Sequence, residues 1–373
     1  MKRSAFMAVA ALSLIASALV SAQQQPAAAQ GGLQTLQVRD NVYLLSGAGG
    51  NIIVSVGKDG VLMVDTGRER DADRVLGTIQ QLQRQVDAQI RAIEATTRIN
   101  WGAEGRSTVI LERDPSAPVK PIRYILNTHY DPDHIGGNLK LRAAGRTFTG
   151  GNVAGNIADA GEGAAIMAHE NVLVRMTKGE PGRRETPADA QPTDTYYMDT
   201  MKMSHFFNGE GVQLIHMPNA HSDGDSVVQF RGADVIATGH IYSTVSYPVI
   251  DIARGGSING YIDALNRLMD LAVPEFRTEG GTMFVPGDGR VSDLADLTYY
   301  RDMTTIIRDR IQDMVRKGMT LEQVRKARPT LDYDPRYGNA PGWSTDQFVE
   351  AVYRSLSASP QPPAGNAPRG RTE

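Results

Sequence analysis

His129-Tyr130-Asp131-Pro132-Asp133-His134 places four side chains able to hold a metal within six positions. The stretch comes just after residues 123–127, an apolar run that reads as a β-strand, so the cluster lies in a loop at a strand end. Pro132 stiffens that loop and lowers the entropy lost when ligands are ordered. Gly136 and Gly137 allow a tight turn into a following helix. In an extended loop, residues 129, 131 and 133 face one side and 134 the other, so one segment could serve two neighbouring metals. A solvated polar turn is the competing explanation for a lone Asp-Pro-Asp. It is weak here, because the chain has only seven histidines and two of them stand in this loop. The sequence has no cysteine, so a metal would be held by His, Asp and Glu.

Outward from the cluster, residues 42–45, 51–56 and 61–64 are short apolar or β-branched runs. Gly57-Lys58-Asp59-Gly60 reads as a hairpin turn between the last two. Asp65-Thr66-Gly67 ends the third run, residues 71–92 have helical spacing, and the polar residues 94–120 read as an irregular insertion. The second half repeats this order, with strands at 212–216, 226–230 and 235–238, a helix at 258–271 and a strand at 282–285. Strands followed by a helix in each half imply an α/β fold, with two sheets face to face and helices outside: a four-layered αββα sandwich. Beyond residue 292 the spacing predicts helices at 293–317, 320–327 and 345–356, a C-terminal helical extension. Three more potential ligands stand at strand ends: His221 between two strands, His240 directly after one, and Asp288 in Pro286-Gly287-Asp288-Gly289. Each alone reads as a capping Asp or a surface His. At successive strand ends of a layered α/β fold they read together as a site.

On these residues the chain resembles the metallo-β-lactamase fold superfamily, over about residues 42–290. That family carries His-x-His-x-Asp-His, then a His, then an Asp or Cys, then a His. His129, Asp133, His134 and His221 match this pattern, and Asp65 matches a buried aspartate that supports a ligand from behind. Ala168-His169-Glu170-Asn171, Tyr247-Pro248-Val249-Ile250-Asp251 and Gly255-Gly256-Ser257 look like a branch of stand-alone hydrolases of this fold. Three positions depart from the pattern. Asp131 stands where the family has His, His240 where it has a bridging Asp, and Asp288 where it has the final His. The exchanges are reciprocal, and all seven positions keep a residue able to bind metal. That favours a remodelled site over a decayed one.

The resemblance implies one metal at His129, Asp131 and His221, and a second at Asp133, His134 and Asp288, with His240 as a further ligand. Two divalent ions are the expected cofactors, zinc first. A third carboxylate shifts preference toward iron or manganese without excluding zinc. A neutral imidazole at His240 is not expected to bridge two metals as a carboxylate can. Asp133 is the expected catalytic residue, orienting a water and moving its proton. The implied reaction is hydrolysis of a small ester, lactone, thioester or amide. β-Lactam hydrolysis belongs to that class but ranks low, because the ligand set departs from the usual enzymes. One alternative is a diiron redox protein, since flavodiiron reductases share the fold and carry a carboxylate at the position matching Asp131. The other is a non-catalytic metal-binding protein of the same fold.

Lys2, Arg3 and the apolar run at 5–20, followed by Ser21 and Ala22, are expected to be a secretory signal peptide cut after Ala22. The mature protein is then expected in the periplasm or secreted. Residues 23–35 and 359–373 read as disordered ends, 36–292 as the main domain and 293–358 as the helical extension. A net charge of −3, with both signs spread along the chain, argues against nucleic acid as a partner. A small-molecule substrate is expected, with no membrane contact after cleavage; the sequence does not give the oligomeric state. His169 is expected to be structural or cleft-lining, and His216 a hydrogen-bonded core residue. His205 is expected near the pocket or on the surface. Asp225 and Ser226 are expected to cap their loop or hold a ligand, Tyr242 and Tyr247 to pack, and Asn138 to cap its helix.

Overall fold

Strands β1 (Gln34–Arg39), β2 (Val42–Ser46), β3 (Ile52–Gly57) and β4 (Gly60–Val64) form an antiparallel meander. Strands β5 (Ile122–Leu126), β6 (Ala165–His169) and β7 (Asp194–Tyr196) extend it in parallel, giving a seven-stranded sheet in sequence order. The second sheet holds β8 (Thr200–Lys202), β9 (Val212–His216), β10 (Ser226–Phe230), β11 (Val235–Ser243) and β12 (Met283–Asp288), in the order β12-β11-β10-β9-β8. This computed structural model describes residues 33–100, 121–146, 163–179, 185–203, 206–273 and 280–357, with side chains of the first stretch to residue 90. The expected signal peptide, residues 23–32 of the leader, 101–120 of the insertion, His205 and the tail lie outside the described residues.

The two sheets meet face to face. Val42, Leu44, Leu62 and Leu126 of the first pack with Leu214, Val228, Phe230 and Val285 of the second. Strands β2 to β4 are almost continuously apolar because both faces of their sheet are covered. Helix α1 (Ala72–Asn100) covers the outer face of the first sheet with Val75, Ile79, Leu82 and Val86, which recur at helical spacing along one stripe. Each such side chain, fully buried, contributes about 1.5–3 kcal/mol. Short helices α2 (Pro132–Ile135) and α3 (Asn138–Ala143) link β5 to β6, and α4 (Glu170–Lys178) links β6 to β7.

Helix α5 (Ile258–Leu271) starts at Ser257, whose hydroxyl accepts from the Gly260 N–H. Helix α6 (Leu294–Arg316) starts at Asp293 in the same way, through the Asp296 N–H. With α7 (Leu321–Ala327), α8 (Asp334–Tyr337) and α9 (Thr345–Ser357) they cover the outer face of the second sheet. The expected αββα layering and C-terminal helices are therefore present. Tyr242 and Tyr247 pack as expected, Tyr247 stacking on Phe348 with ring centroids 4.7 Å apart.

Three local expectations change. Helix α1 continues to Asn100, through seven residues assigned to the irregular insertion. Strand β1 begins at Gln34, inside the stretch expected as leader. Strand β11 runs on to Ser243, so His240 lies within a strand rather than after one. Its local pattern breaks at Gly239, where φ is +52°, and only parallel pairing with β12 carries the strand through the break.

Candidate metal centre

Asp65 organises the site from the end of β4. Its backbone takes φ +60°, a left-handed conformation that costs a non-glycine residue about 1 kcal/mol or more. The surroundings hold it there. Oδ1 accepts from the Thr128 N–H at 2.9 Å, and Oδ2 accepts from the Thr128 hydroxyl at 2.7 Å and from His134 Nδ1 at 2.8 Å. The Thr128 hydroxyl donates its proton to Asp65, so toward His129 Nδ1, 2.8 Å away, it can only accept. His129 therefore carries its proton on Nδ1. His221 donates Nδ1–H to the Val249 carbonyl at 2.9 Å. Each of these three imidazoles is left with a bare Nε2, the arrangement that orients histidine as a metal ligand.

The His/Asp loop is not extended throughout. Asp131 is extended at φ −131°, ψ 140°, but Pro132 begins the helical turn α2, where proline suits the first position. The segment therefore divides as 129 and 131 against 133 and 134, not as 129, 131 and 133 against 134. Asp131 Oδ2 lies 3.2 Å from His221 Nε2, 3.2 Å from His240 Nδ1 and 3.5 Å from His129 Nε2. On the other side, His240 Nε2 lies 3.1 Å from His134 Nε2 and 3.3 Å from Asp288 Oδ2. Asp133 joins His134 and His240 in this second group. All seven residues singled out in the sequence thus converge, with Asp65 behind them. His240 stands with both groups rather than as an accessory to the second.

Electrostatics without a metal are lopsided. Burial, then the neighbouring His240 and His134, keep the His129 pKa well below the usual value. Burial also opposes charge on His240, but the facing Asp131 and Asp288 carboxylates hold its pKa well above the usual value. Burial likewise works against the Asp131 carboxylate, yet the three facing imidazoles hold its pKa well below the usual range. A cation placed between these carboxylates would relieve that imbalance.

The donor set fits a metal. His129 Nε2, His221 Nε2 and His240 Nδ1 are buried and make no hydrogen bond of ordinary geometry, a rare condition unless a missing partner supplies it. A tetrahedral ion with bonds of about 2.0–2.1 Å has donors about 3.3 Å apart along each edge. The separations of 3.1–3.5 Å within both groups match that edge.

Sequence reasoning missed Arg254. Its Nη1 donates to Asp131 Oδ1 and to the Tyr130 carbonyl, both at 2.7 Å, and its Nε lies 3.0 Å from Asp251 Oδ2. The signal was the spacing Asp251-x-x-Arg254, lodged between two of the stretches that carried the resemblance. Gly50 was also missed: a Cβ there would land on the His134 ring. Asn51 ties β3 to the end of β12, its Nδ2 donating to the Pro286 and Gly289 carbonyls at 2.9 Å, and so fixes the turn bearing Asp288. Trp343, from the C-terminal region, donates Nε1–H to the Pro248 carbonyl at 3.0 Å. With Val249 and Ile250 it gives an apolar wall to an open cleft of about 360 Å³ whose floor is Asp131, Asp133 and His240.

A model of the metallo-β-lactamase superfamily matches residues 45–275. The chain belongs to this superfamily. No curated protein matches it significantly. Among solved structures, the sec-alkylsulfatase Pisa1 from Pseudomonas sp. aligns with 14% identity and a TM-score of 0.57, over 87% of this chain. The chain spans half of that enzyme's length. The DIM-1 metallo-beta-lactamase aligns with 14% identity and a TM-score of 0.45, over 74% of this chain and 97% of that one. At these identities the likeness concerns the fold.

The remaining candidates of this metallo-β-lactamase-superfamily chain are structural. His169 caps α4, its Nδ1 accepting from the Asn171 N–H, and stacks on His216 with ring centroids 3.7 Å apart. His216 Nε2 meets the Asp223 carbonyl at 2.9 Å. Asp225 holds the loop after His221 through the N–H and hydroxyl of Ser222, and Ser226 pairs with the Tyr196 hydroxyl. Asn138 does not cap its helix. It is buried, and its amide bonds Thr66, Asn127 and the Ala190 carbonyl, satisfying polar groups on three neighbouring segments.

Proposed function

We propose that this protein is a metal-dependent hydrolase acting on a small ester, lactone, thioester or amide. One observation carries the reading: three buried imidazole nitrogens, of His129, His221 and His240, make no hydrogen bond and converge with one Asp131 carboxylate oxygen beside an open cleft. His129, Asp131 and His221 would hold one divalent ion and Asp133, His134 and Asp288 a second, with His240 facing both groups; zinc is the first choice. A metal bound there would supply a water of lowered pKa and a positive charge for a developing oxyanion.

The chain's own groups do the rest. Asp133 lines the cleft and takes the proton of the attacking water, then delivers it to the leaving group. Asp65 keeps the His134 proton on Nδ1, and Thr128 does the same for His129, so neither ring turns away from the site. Trp343, Val249 and Ile250 receive the apolar part of the substrate and exclude water from that side. Residues 1–22 support export, so we place the reaction in the periplasm or outside the cell.

Elemental analysis of the purified protein, followed by a panel of ester, lactone, thioester, amide and β-lactam substrates, tests this. Zinc or manganese with metal-dependent turnover is the expected result. Iron with a visible absorption band and no turnover, or a folded protein binding no metal, overturns it.

A further inference from the structure

We propose that His240 is a bridging ligand, giving Nδ1 to a metal held by His129, Asp131 and His221 and Nε2 to a second held by Asp133, His134 and Asp288. This rests on the reading of the cluster as a metal centre. The other three imidazoles each commit Nδ1 to the protein and offer one nitrogen: His129 to Thr128, His134 to Asp65, His221 to Val249. His240 makes no such commitment. Its Nδ1 faces Asp131 Oδ2 at 3.2 Å, and its Nε2 faces His134 Nε2 at 3.1 Å and Asp288 Oδ2 at 3.3 Å. On both sides of one ring, the separations are those of donors sharing a tetrahedral ion.

The ring is held instead through its main chain. Gly239 precedes it at φ +52°, where a Cβ would press on Thr128 2.7 Å away, and the Tyr261 hydroxyl donates to the His240 carbonyl at 2.7 Å. The Gly287 backbone passes so close that a Cβ there would sit 3.1 Å from His240 Cδ2. A ring fixed from behind, with both nitrogens aimed at separate donor groups, is placed to join two ions. When the second ion binds, the remaining ring N–H proton leaves to solvent and the new metal–nitrogen bond takes its place.

The bridge changes the geometry of the centre. Two-metal sites closed by a shared oxygen hold their ions about 3.5–4 Å apart. Two bonds of about 2.1 Å on opposite sides of one imidazole set them about 6 Å apart. At that span one water oxygen could not touch both ions, so an attacking water would belong to a single ion, as a fifth ligand beside its four protein donors, and the other ion would be left to hold substrate in the same way.

The test uses the full chain, stripped with chelator and reloaded with zinc(II) or cobalt(II) chloride. Metal stoichiometry comes from equilibrium dialysis, and the metal–metal distance from X-ray absorption and a crystal structure of the loaded protein. Two ions sharing the His240 ring about 6 Å apart are expected, with magnetic coupling in the dicobalt form. His240→Ala should lose one ion, and His240→Asp should bring the pair to about 3.5–4 Å. Wild-type ions already that close, a single ion on one His240 nitrogen, or His240→Ala holding both ions with unchanged affinity each overturn the bridge while leaving the metal centre standing. A chain that binds neither metal overturns both.

Discussion

Arg254 Nη1 lies 2.7 Å from Asp131 Oδ1, while the other oxygen of Asp131 faces His129, His221 and His240. Asp251 holds the guanidinium from the far side at 3.0 Å. A carboxylate stands here where the sequence resemblance led to an expectation of histidine, and burying it calls for a facing cation. Arg254 supplies that charge, fixes one oxygen, and leaves the other aimed at the centre. The exchange at position 131 is therefore part of a pair, and the pair can be taken apart.

Arg254→Met should cost about 3 kcal/mol in the metal-free protein, because it removes the guanidinium that pairs with a buried carboxylate. Asp131→His alone should also destabilise, by removing one of the two carboxylates that face the buried arginine. The double variant should recover part of the loss, with a coupling energy of at least about 1 kcal/mol. Urea unfolding of the four proteins measures the cycle; additive losses would show that the two side chains act independently.

Asp133→Ala should lower turnover at least about 100-fold, the contribution of a positioned acid–base group. Its side chain is only partly buried, so the unfolding free energy should change by no more than about 0.5 kcal/mol. Steady-state kinetics on the substrate found in the panel, beside thermal unfolding, separates the two effects. Near-normal turnover would remove Asp133 from the chemistry.

Gly50→Ala should displace the His134 ring, which cannot retreat because Asp65 holds its Nδ1 at 2.8 Å. Metal affinity in the group containing His134 should fall at least about 10-fold, as for lost orienting partners of a ligand. Competition with a chromogenic chelator reads the change, and unaltered affinity would mean that the ring does not ligate.

Acid should weaken the cap on α4. Burial, and then the neighbouring His216, lower the His169 pKa from the usual value to about 4. The folded state thus favours the neutral ring, as its acceptor role toward the Asn171 N–H requires. A depressed base contributes stability fully above the unfolded value of about 6.5 and loses it as pH falls toward about 4. His169→Asn keeps a capping oxygen without the titration. Its stability should fall less than that of the wild type across this window in denaturant melts at successive pH; parallel curves would count against the assignment.

Much of the fold was legible because its signals are local. Strands β9 and β10 and helix α5 keep their sequence-assigned bounds, each framed by turn or capping residues. Strand β6 has no counterpart among the strands expected from the sequence, because five residues cannot distinguish a strand from a buried helix turn until parallel neighbours pair with them. The division of the 129–134 loop was misjudged for a similar reason. Pro132 is compatible with both an extended loop and a helix start, and the hydrogen bonds closing α2 decide between them.

The sequence by itself determined the layered fold and the seven side chains that gather at the site, because hydrophobic period and the placing of rare His and Asp at strand ends are written locally. The tertiary structure decided which of those side chains share a centre. It set both nitrogens of His240 between two groups that lie far apart in sequence, brought Arg254 123 residues along the chain to Asp131, and carried Trp343 to the cleft wall. Those contacts depend on how two sheets and their covering helices pack, and packing over such separations leaves no periodic trace in the chain.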